Sequence, residues 1–266
     1  DTGENKPQGA ATFRGARFTV KYYDGLWEED TDPEKLGKTA KRTWVFETDE
    51  DGQCSYGKKH LVSGDALYVD LNGRPAVPIG TITIQETKAP EGYLLNPELF
   101  VRQITAKGNT ESVDTYNTLG VPERILKLDL IKRQEGLDVP IPGVKFEHES
   151  PDGKKETIET DQNGELTLKG LQYGTHKIQE ISVMEGYLLN GNVIEFYVAQ
   201  DNQISITSKI DDTLGKAEIQ VTDKGNIIVT MEDPLAPFRL LIHKENQKGS
   251  KTPRRSRVYT VCREDV

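Results

Sequence analysis

The sequence predicts an all-β fold made of tandem β-sandwich modules. Short stretches alternate apolar and polar residues, turn residues separate these stretches, and one set of motifs occurs twice in the same order. Alternation with a period of two puts successive side chains on opposite faces of a strand. No stretch of helical length shows a sustained period of 3.6 residues, which argues against a helical architecture.

The predicted strands are short and follow one another closely. Gly, Asp and Asn clusters at 49–52, 151–153, 161–164 and 223–226 mark turns, because Gly and Asn tolerate positive φ angles. Regular short strands separated by such turns are typical of β-sandwiches. The strands are predicted at residues 16–23, 42–48, 81–87, 123–130, 144–150, 165–171, 176–181, 193–199, 203–209, 217–223 and 226–232.

An internal repeat divides the chain. "GARF" at 15–18 matches "GVKF" at 143–146, "ETDEDG" at 47–52 matches "ETDQNG" at 159–164, and "EGYLLN" occurs at 91–96 and again at 185–190. Because the order is kept, we predict two modules of similar layout, residues 1–122 and 123–238. The first module carries insertions at 24–43 and 53–79. Residues 239–266 are predicted to be the start of a truncated third module or an irregular tail, with a basic interaction tail as the alternative.

Composition excludes several classes of protein. The 266 residues carry a formal net charge of −9, which argues against nucleic-acid binding, since phosphate contacts need clustered Lys and Arg. No apolar run approaches the roughly 20 residues that cross a bilayer. The chain begins with Asp and shows no signal-peptide pattern, so we expect an internal piece of a longer protein. Cys54 and Cys262 form neither a disulfide framework nor a metal-ligand pattern, and no cofactor is predicted.

Several charged residues share a strand face with apolar neighbours. Glu86 is in phase with Ile84, and its counterpart Glu180 lies at the same distance before the Tyr of the second "EGYLLN". Lys127 falls in phase with Ile125 of its predicted strand, and Asp233 falls in phase with Met231 of its own. Burial of a lone ionised carboxylate costs several kcal/mol, so such a residue needs a partner or a proton. The alternative is that these are solvated charges at strand ends.

The ordered motifs resemble a known family. A "KxD"-type strand is followed by "GAxF" or "GVxF", then "TDxxG", then "ETKAPEGY" at 86–93, and finally a strand that ends in Asn or Asp near a Pro. This layout resembles the Cna protein B-type modules of Gram-positive adhesins and pilins, which have the SpaA-like, prealbumin-like (Ig-like) fold. The second copy of the glutamate motif, "EISVMEGY" at 180–187, keeps Glu180, Gly186 and Tyr187. The resemblance covers roughly residues 1–238.

The resemblance implies an intramolecular isopeptide bond within a module. In the second module it assigns Lys127 as the nucleophile, Asp233 as the electrophile and Glu180 as the group that promotes the reaction. Burial disfavours the charged forms of an amine and a carboxylic acid, which suits attack of the amine on the carboxyl group. In the first module Glu86 and Asn117 are the equivalents. The expected Lys of that module would lie before residue 1, so we expect no bond there.

The resemblance also implies a function. We expect a structural stalk segment of a cell-wall-anchored bacterial surface protein, outside the cell, with neighbouring modules of the same protein as partners and no enzymatic activity beyond self-modification. The alternative is an adhesin module that binds a host matrix protein or glycan through the aromatic residues in or beside the insertions, namely Trp27, Trp44, Tyr56 and Tyr68. The other role of these aromatic residues, and the one we expect, is core packing or loop anchoring.

Overall fold

A computed structural model describes residue 7, residues 9–105 and residues 120–237, and this part of the chain is nearly all β, as predicted. Its only helical element is a 3₁₀ turn at Asp212–Leu214, and none of its helices is long and apolar enough to cross a membrane. The strands are β1 Arg17–Tyr23, β2 Arg42–Glu47, β3 Leu61–Gly64, β4 Gly80–Lys88, β5 Tyr93–Leu94, β6 Leu99–Ile104, β7 Arg124–Ile125, β8 Lys127–Gln134, β9 Lys145–Glu149, β10 Lys155–Glu159, β11 Glu165–Lys169, β12 Gly174–Ser182, β13 Val193–Val198, β14 Ile204–Ile206, β15 Lys216–Val221 and β16 Ile227–Asp233.

The first module contains one antiparallel five-stranded sheet, in the order β3-β2-β1-β4-β6. One face of this sheet, the inner face, carries Tyr22, Trp44 and Phe46, and Trp44 is fully buried. Tyr56 and Tyr68, from the insertion at 53–79, pack edge-on against Trp44 with ring centroids 5.1 and 5.9 Å away. This insertion therefore covers the inner face.

The insertion at 24–43 covers the opposite face of the same sheet. Trp27 packs edge-on against the buried ring of Tyr23, with centroids 6.0 Å apart. Thr81 ties the insertion to β4, because its hydroxyl donates to the Gly25 carbonyl at 2.8 Å and accepts from the Trp27 N–H at 3.0 Å. The aromatic residues of both insertions thus serve packing, which is the second of the two roles that the sequence allowed.

The second module is a sandwich of two sheets. One has the order β10-β9-β12-β13-β14, and the other has the order β11-β8-β16-β15. All strand pairs are antiparallel except β8 and β16, which run parallel side by side at the centre of the four-stranded sheet. Along the chain, β8 is the first strand of this sheet and β16 is the last. The two sheets share one apolar core. Its fully buried residues include Leu126, Leu128, Leu130, Phe146, Ile178, Ile194, Phe196, Val198, Ile227, Val229 and Met231.

The two modules meet at the loop that carries the first "EGYLLN". Strand β5 of this loop pairs with β7 at the start of the second module, and Leu94 joins the core of that module. Tyr173 of the second module donates from its backbone N–H to Glu91 Oε1 at 2.9 Å and from its hydroxyl to the Ala89 carbonyl at 3.1 Å. The junction is therefore packed and hydrogen-bonded.

Candidate functional site

The candidate site is built on β8, the opening strand of the second module. The side chains of Leu126, Leu128 and Leu130 alternate toward the core and are fully buried. Lys132 continues this alternation, so it also points inward and is fully buried. A long cationic side chain is almost never fully buried unless it is paired, so its partners decide what the site is.

Lys132 lies between two buried carboxyl groups. Its Nζ donates to Glu180 Oε2 at 2.6 Å and also contacts Asp233 Oδ1. Glu180 belongs to β12 of the facing sheet, whereas Asp233 ends β16, beside β8. All three side chains have no solvent exposure. The aromatic ring of Phe146 lies 5.9 Å from Nζ and closes the site on one side.

The structure corrects the choice of lysine. Lys127 is not at this site, because it belongs to the opposite face of β8, where its Nζ pairs with Asp129 Oδ2 at 2.7 Å and a third of its side chain is exposed. The sequence reasoning took Ile125 as the marker of the buried face. However, Ile125 belongs to the separate strand β7, and the even-numbered positions of β8 face the core. The run of leucines at alternate positions before Lys132 was the signal that would have identified it.

The charges at the site do not balance without an added proton. One amine faces two carboxyl groups, and the oxygens Glu180 Oε1 and Asp233 Oδ2 are buried without a hydrogen-bond donor. Burial raises the pKa of Glu180 to about 7, against the lowering effect of the Lys132 charge. Burial also raises the pKa of Asp233. Burial therefore favours the protonated form of each acid over its ionised form, and one proton shared between the two acids would satisfy both orphan oxygens.

The second copy of the repeated motif "EGYLLN" holds both Glu180 and the closing strand β16 in position. In both copies Glu and Gly form the middle of a tight turn closed by the Tyr N–H, and Gly92 and Gly186 adopt positive φ angles of 87° and 97°. The Asn at the end of the motif then clamps the closing strand, because the Asn190 side-chain amide donates to the Glu232 carbonyl at 3.0 Å. Glu232 directly precedes Asp233. The backbone N–H of Asn190 also favours the ionised form of Glu180.

In the first module the structure places Glu86 in an equivalent setting. Glu86 is 2% exposed, and its Oε2 accepts from the backbone N–H of Asn96 at 2.6 Å. Asn117, its expected partner, lies outside the described residues. The carboxyl group that contacts Glu86 is that of Glu123, which the sequence analysis did not identify. No local sequence signal identifies it, because its place depends on the long-range pairing of β7 with the "EGYLLN" loop.

The sequence matches the family described as SpaA, prealbumin-like fold domain, over residues 6–119 and 127–213. The chain belongs to this SpaA family. No curated protein sequence matches it. The first matched segment contains Glu86, and the second begins at β8 and contains Lys132 and Glu180. Glu123 lies between the two matched segments, and Asp233 lies after the end of the second.

The solved structures that match this SpaA-family chain have low sequence identity to it. A C-terminal fragment of the pilus adhesin SpaC from Lactobacillus rhamnosus GG is 15% identical, with 89% of this chain and 95% of that chain covered and a TM-score of 0.42. The minor pilin GBS52 of Streptococcus agalactiae is 17% identical, with 90% of this chain and 93% of that chain covered and a TM-score of 0.27. The TIE protein of Bacillus anthracis is 16% identical with a TM-score of 0.40; 91% of this chain is covered, but only 35% of that protein.

Proposed function

We propose that this chain is a stalk segment of a Gram-positive cell-surface protein, an adhesin or pilin, and that its second module closes itself with an amide bond between Lys132 and Asp233. The observation that carries the proposal is the contact of the fully buried Lys132 amine with the carboxyl groups of both Asp233 and Glu180. The SpaA family and the repeated motifs support the surface role.

The chemistry needs only the three side chains. A proton passes from the Lys132 ammonium to the carboxyl pair, which leaves a neutral amine beside a protonated Asp233. Nζ attacks Cγ of Asp233, the Cγ–N bond forms, and the hydroxyl leaves as water with a proton relayed by Glu180. Glu180 ends in its starting state, so it promotes the reaction without being consumed. Burial excludes water and holds the reacting atoms in contact, which supplies the proximity the step requires.

The position of the bond suits a chain under tension. Lys132 is near the C-terminal end of β8 and Asp233 is the last residue of β16, and these strands are parallel neighbours. Force that enters along β8 passes through the amide to Asp233 and leaves the module at once. Residues 133–232 then carry no load. These residues form the strands that follow β8 in the second module.

The bond also stabilises the module thermodynamically. The linked residues are 101 positions apart in the sequence. The chain-entropy treatment developed for disulfides gives on the order of 4 to 5 kcal/mol for a cross-link that closes a loop of this length. This stabilisation suits an extracellular module whose residues 123–238 contain no cysteine and so no disulfide.

The alternative role as a ligand-binding adhesin receives less support. Trp44 is fully buried, and Tyr56 and Tyr68 pack against it instead of lining an open concave surface. Neighbouring modules of the same protein are the partners we propose, and the packed junction at Tyr173 between the two modules supports this. A host ligand stays an expectation drawn from the family resemblance and from the presence of these aromatic residues.

Single-molecule stretching tests the stalk function. When the chain is pulled from its ends, the second module should show no unfolding step, because residues 133–232 lie outside the force path. The Lys132→Ala variant should show a new step on the order of 350 Å, the extended length of that segment. The Lys127→Ala variant is the matched control and should behave as the wild type. A second-module unfolding step in the wild type would contradict the proposal.

A further inference from the structure

Two buried histidines of the second module belong to one chain of hydrogen bonds. His148 Nδ1 lies 2.9 Å from Glu156 Oε1, and His148 Nε2 lies 3.0 Å from His176 Nδ1. His176 Nε2–H donates to the Gln172 carbonyl at 2.9 Å. The two rings are only 5% and 1% exposed, whereas Glu156 is at the surface. Three hydrogen bonds therefore run from the edge strand β10 into the interior.

This chain continues into the first module. The peptide group of the Gln172 carbonyl also carries the N–H of Tyr173, and this N–H donates to Glu91 Oε1 at 2.9 Å. The Tyr173 hydroxyl makes the second bond of the junction, to the Ala89 carbonyl. One peptide group thus connects the histidines to the contact between the modules. Because hydrogen bonds in such a chain polarise one another, a change at the histidines affects the junction.

The number of bonds fixes the number of ring protons. A carbonyl and a carboxylate only accept, so each of the three bonds needs one proton from an imidazole nitrogen. Two neutral imidazoles carry two such protons, but three are required. The rings of His148 and His176 therefore share one added proton, and the Glu156 carboxylate balances its charge. A second added proton would place an N–H on both facing nitrogens, which are 3.0 Å apart.

The surroundings of the rings oppose a second charge. Phe196 stacks on His176 with ring centroids 5.0 Å apart. Burial and the neighbouring charge of His148 lower the pKa of His176 to about 4, against the raising effect of its bond to Gln172. The pair thus accepts one proton and resists the next.

The charged groups that face the rings are Glu156 from β10 and Glu91 from the first module. Burial raises the pKa of Tyr173 to about 12, so its hydroxyl does not titrate in acid. The facing four-stranded sheet turns apolar residues toward this part of the core. Among the described residues, the other buried charges of the second module are those of the Lys132 site, and one apolar residue on each of β9 and β12 lies between. Charged residues on the solvent face of these strands pair with one another.

We propose that the His148–His176 pair is a one-proton site that makes the junction between the modules acid-sensitive. With one added proton all three bonds form, and the Gln172–Tyr173 peptide group is held toward Glu91. With a second proton the facing N–H groups repel, so His176 leaves its position and the peptide group loses its orienting partner. The proposal does not depend on the amide bond proposed above.

The pH dependence has one direction at the junction. Loss of the first proton in alkali breaks only the bond to Glu156, at the far end of the chain. The pKa of His176 is about 4 in the closed junction, and a ring freed by opening has the ordinary value of 6.5. The closed form is therefore fully favoured above about pH 6.5 and loses this advantage as the pH falls toward 4. Opening should rise roughly 50- to 100-fold from about pH 7.5 to about pH 4.5.

Hydrogen exchange of the Tyr173 backbone N–H measures this opening in the full 266-residue chain. After correction for the intrinsic pH dependence of exchange, its protection factor should fall by that factor in acid. His176→Gln should abolish the fall, because Gln can donate to the Gln172 carbonyl and accept from His148 without a titrating ring. Glu91→Gln is the matched control. It keeps an acceptor for the Tyr173 N–H, removes the titrating acid at the junction, and should retain the fall.

The backbone amides of β16 report whether the whole module unfolds, and Tyr173 should exchange faster than these amides at both pH values. Four results would overturn the proposal: no fall in acid, a fall that persists in His176→Gln, a fall that disappears in Glu91→Gln, or equal protection of Tyr173 and β16. If His176→Gln does not fold, ring ¹⁵N shifts of the wild-type chain decide. His176 should gain its second ring proton only near pH 4, and titration near 6.5 would contradict the one-proton site.

Discussion

Lys132 and Asp233 are 101 positions apart in the sequence, yet their side chains meet in the interior between parallel neighbouring strands. The Cα atom of Lys132 is opposite that of Met231, and Asp233 is the next residue on the same face of β16. The first and last strands of the second module are thus joined at one buried point, and Glu180 approaches that point from the facing sheet.

The clamp formed by Asn190 should contribute strongly to the stability of the second module. Its amide group donates to the carbonyls of Lys216 and Glu232, and its oxygen accepts from Asn192, all in a fully buried position. Asn190→Ala leaves these groups without partners and should lower the free energy of unfolding by about 2 to 4 kcal/mol. Scanning calorimetry, in which the second module's transition should move to lower temperature, measures this loss.

The equivalent change in the first module provides the control for the clamp. Asn96 donates its side-chain amide to one carbonyl, that of Pro122, in a more exposed setting. Asn96→Ala should therefore cost only about 1 kcal/mol. Equal losses for the two variants would show that the buried network around Asn190 does not stabilise the module as described.

Trp44 should be the residue on which the first module depends most. It is fully buried between the sheet and the aromatic rings of the insertion at 53–79. Trp44→Ala should lower the stability of this module by about 3 to 5 kcal/mol. Trp27→Ala, which removes a half-buried ring from the opposite face, should cost less. A scanning calorimeter resolves the effect, and a larger loss for Trp27 would contradict the packing described here.

The first module should lose stability as the pH rises. Burial, together with the charge of Glu86, raises the pKa of Glu123 from 4.5 to about 8. A carboxyl group with a higher pKa in the folded state binds its proton more tightly there. Its stabilising contribution is therefore complete below about pH 4.5 and is lost as the pH rises through about 8. The thermal transition that Trp44→Ala shifts should move to lower temperature across this range.

Glu123→Gln isolates the contribution of this carboxyl group. The amide keeps a hydrogen-bonding side chain beside Glu86 but cannot ionise, so the pH dependence of the first-module transition should become shallower. An unchanged slope in Glu123→Gln would mean that another group titrates across this range.

The sequence predicted the fold class well because alternation and turn residues are local signals. Strand parity also put Glu180 and Asp233 on faces that the structure shows to be buried. Parity was misapplied at β8, where Ile125 belongs to a separate short strand and Lys132, not Lys127, follows the buried leucines. Glu123 was beyond reach of sequence reasoning, because its role depends on how the closing segment returns to the "EGYLLN" loop, and that pairing is long-range.

The intact mass of the purified, folded chain tests the central claim most directly. We predict a mass one water below that of the sequence, and the full sequence mass in Lys132→Ala and Glu180→Ala. Lys127→Ala should retain the loss of one water. A wild-type chain at its full sequence mass, or a loss of water that survives Lys132→Ala, would contradict the assignment of Lys132 and Asp233 as the linked pair.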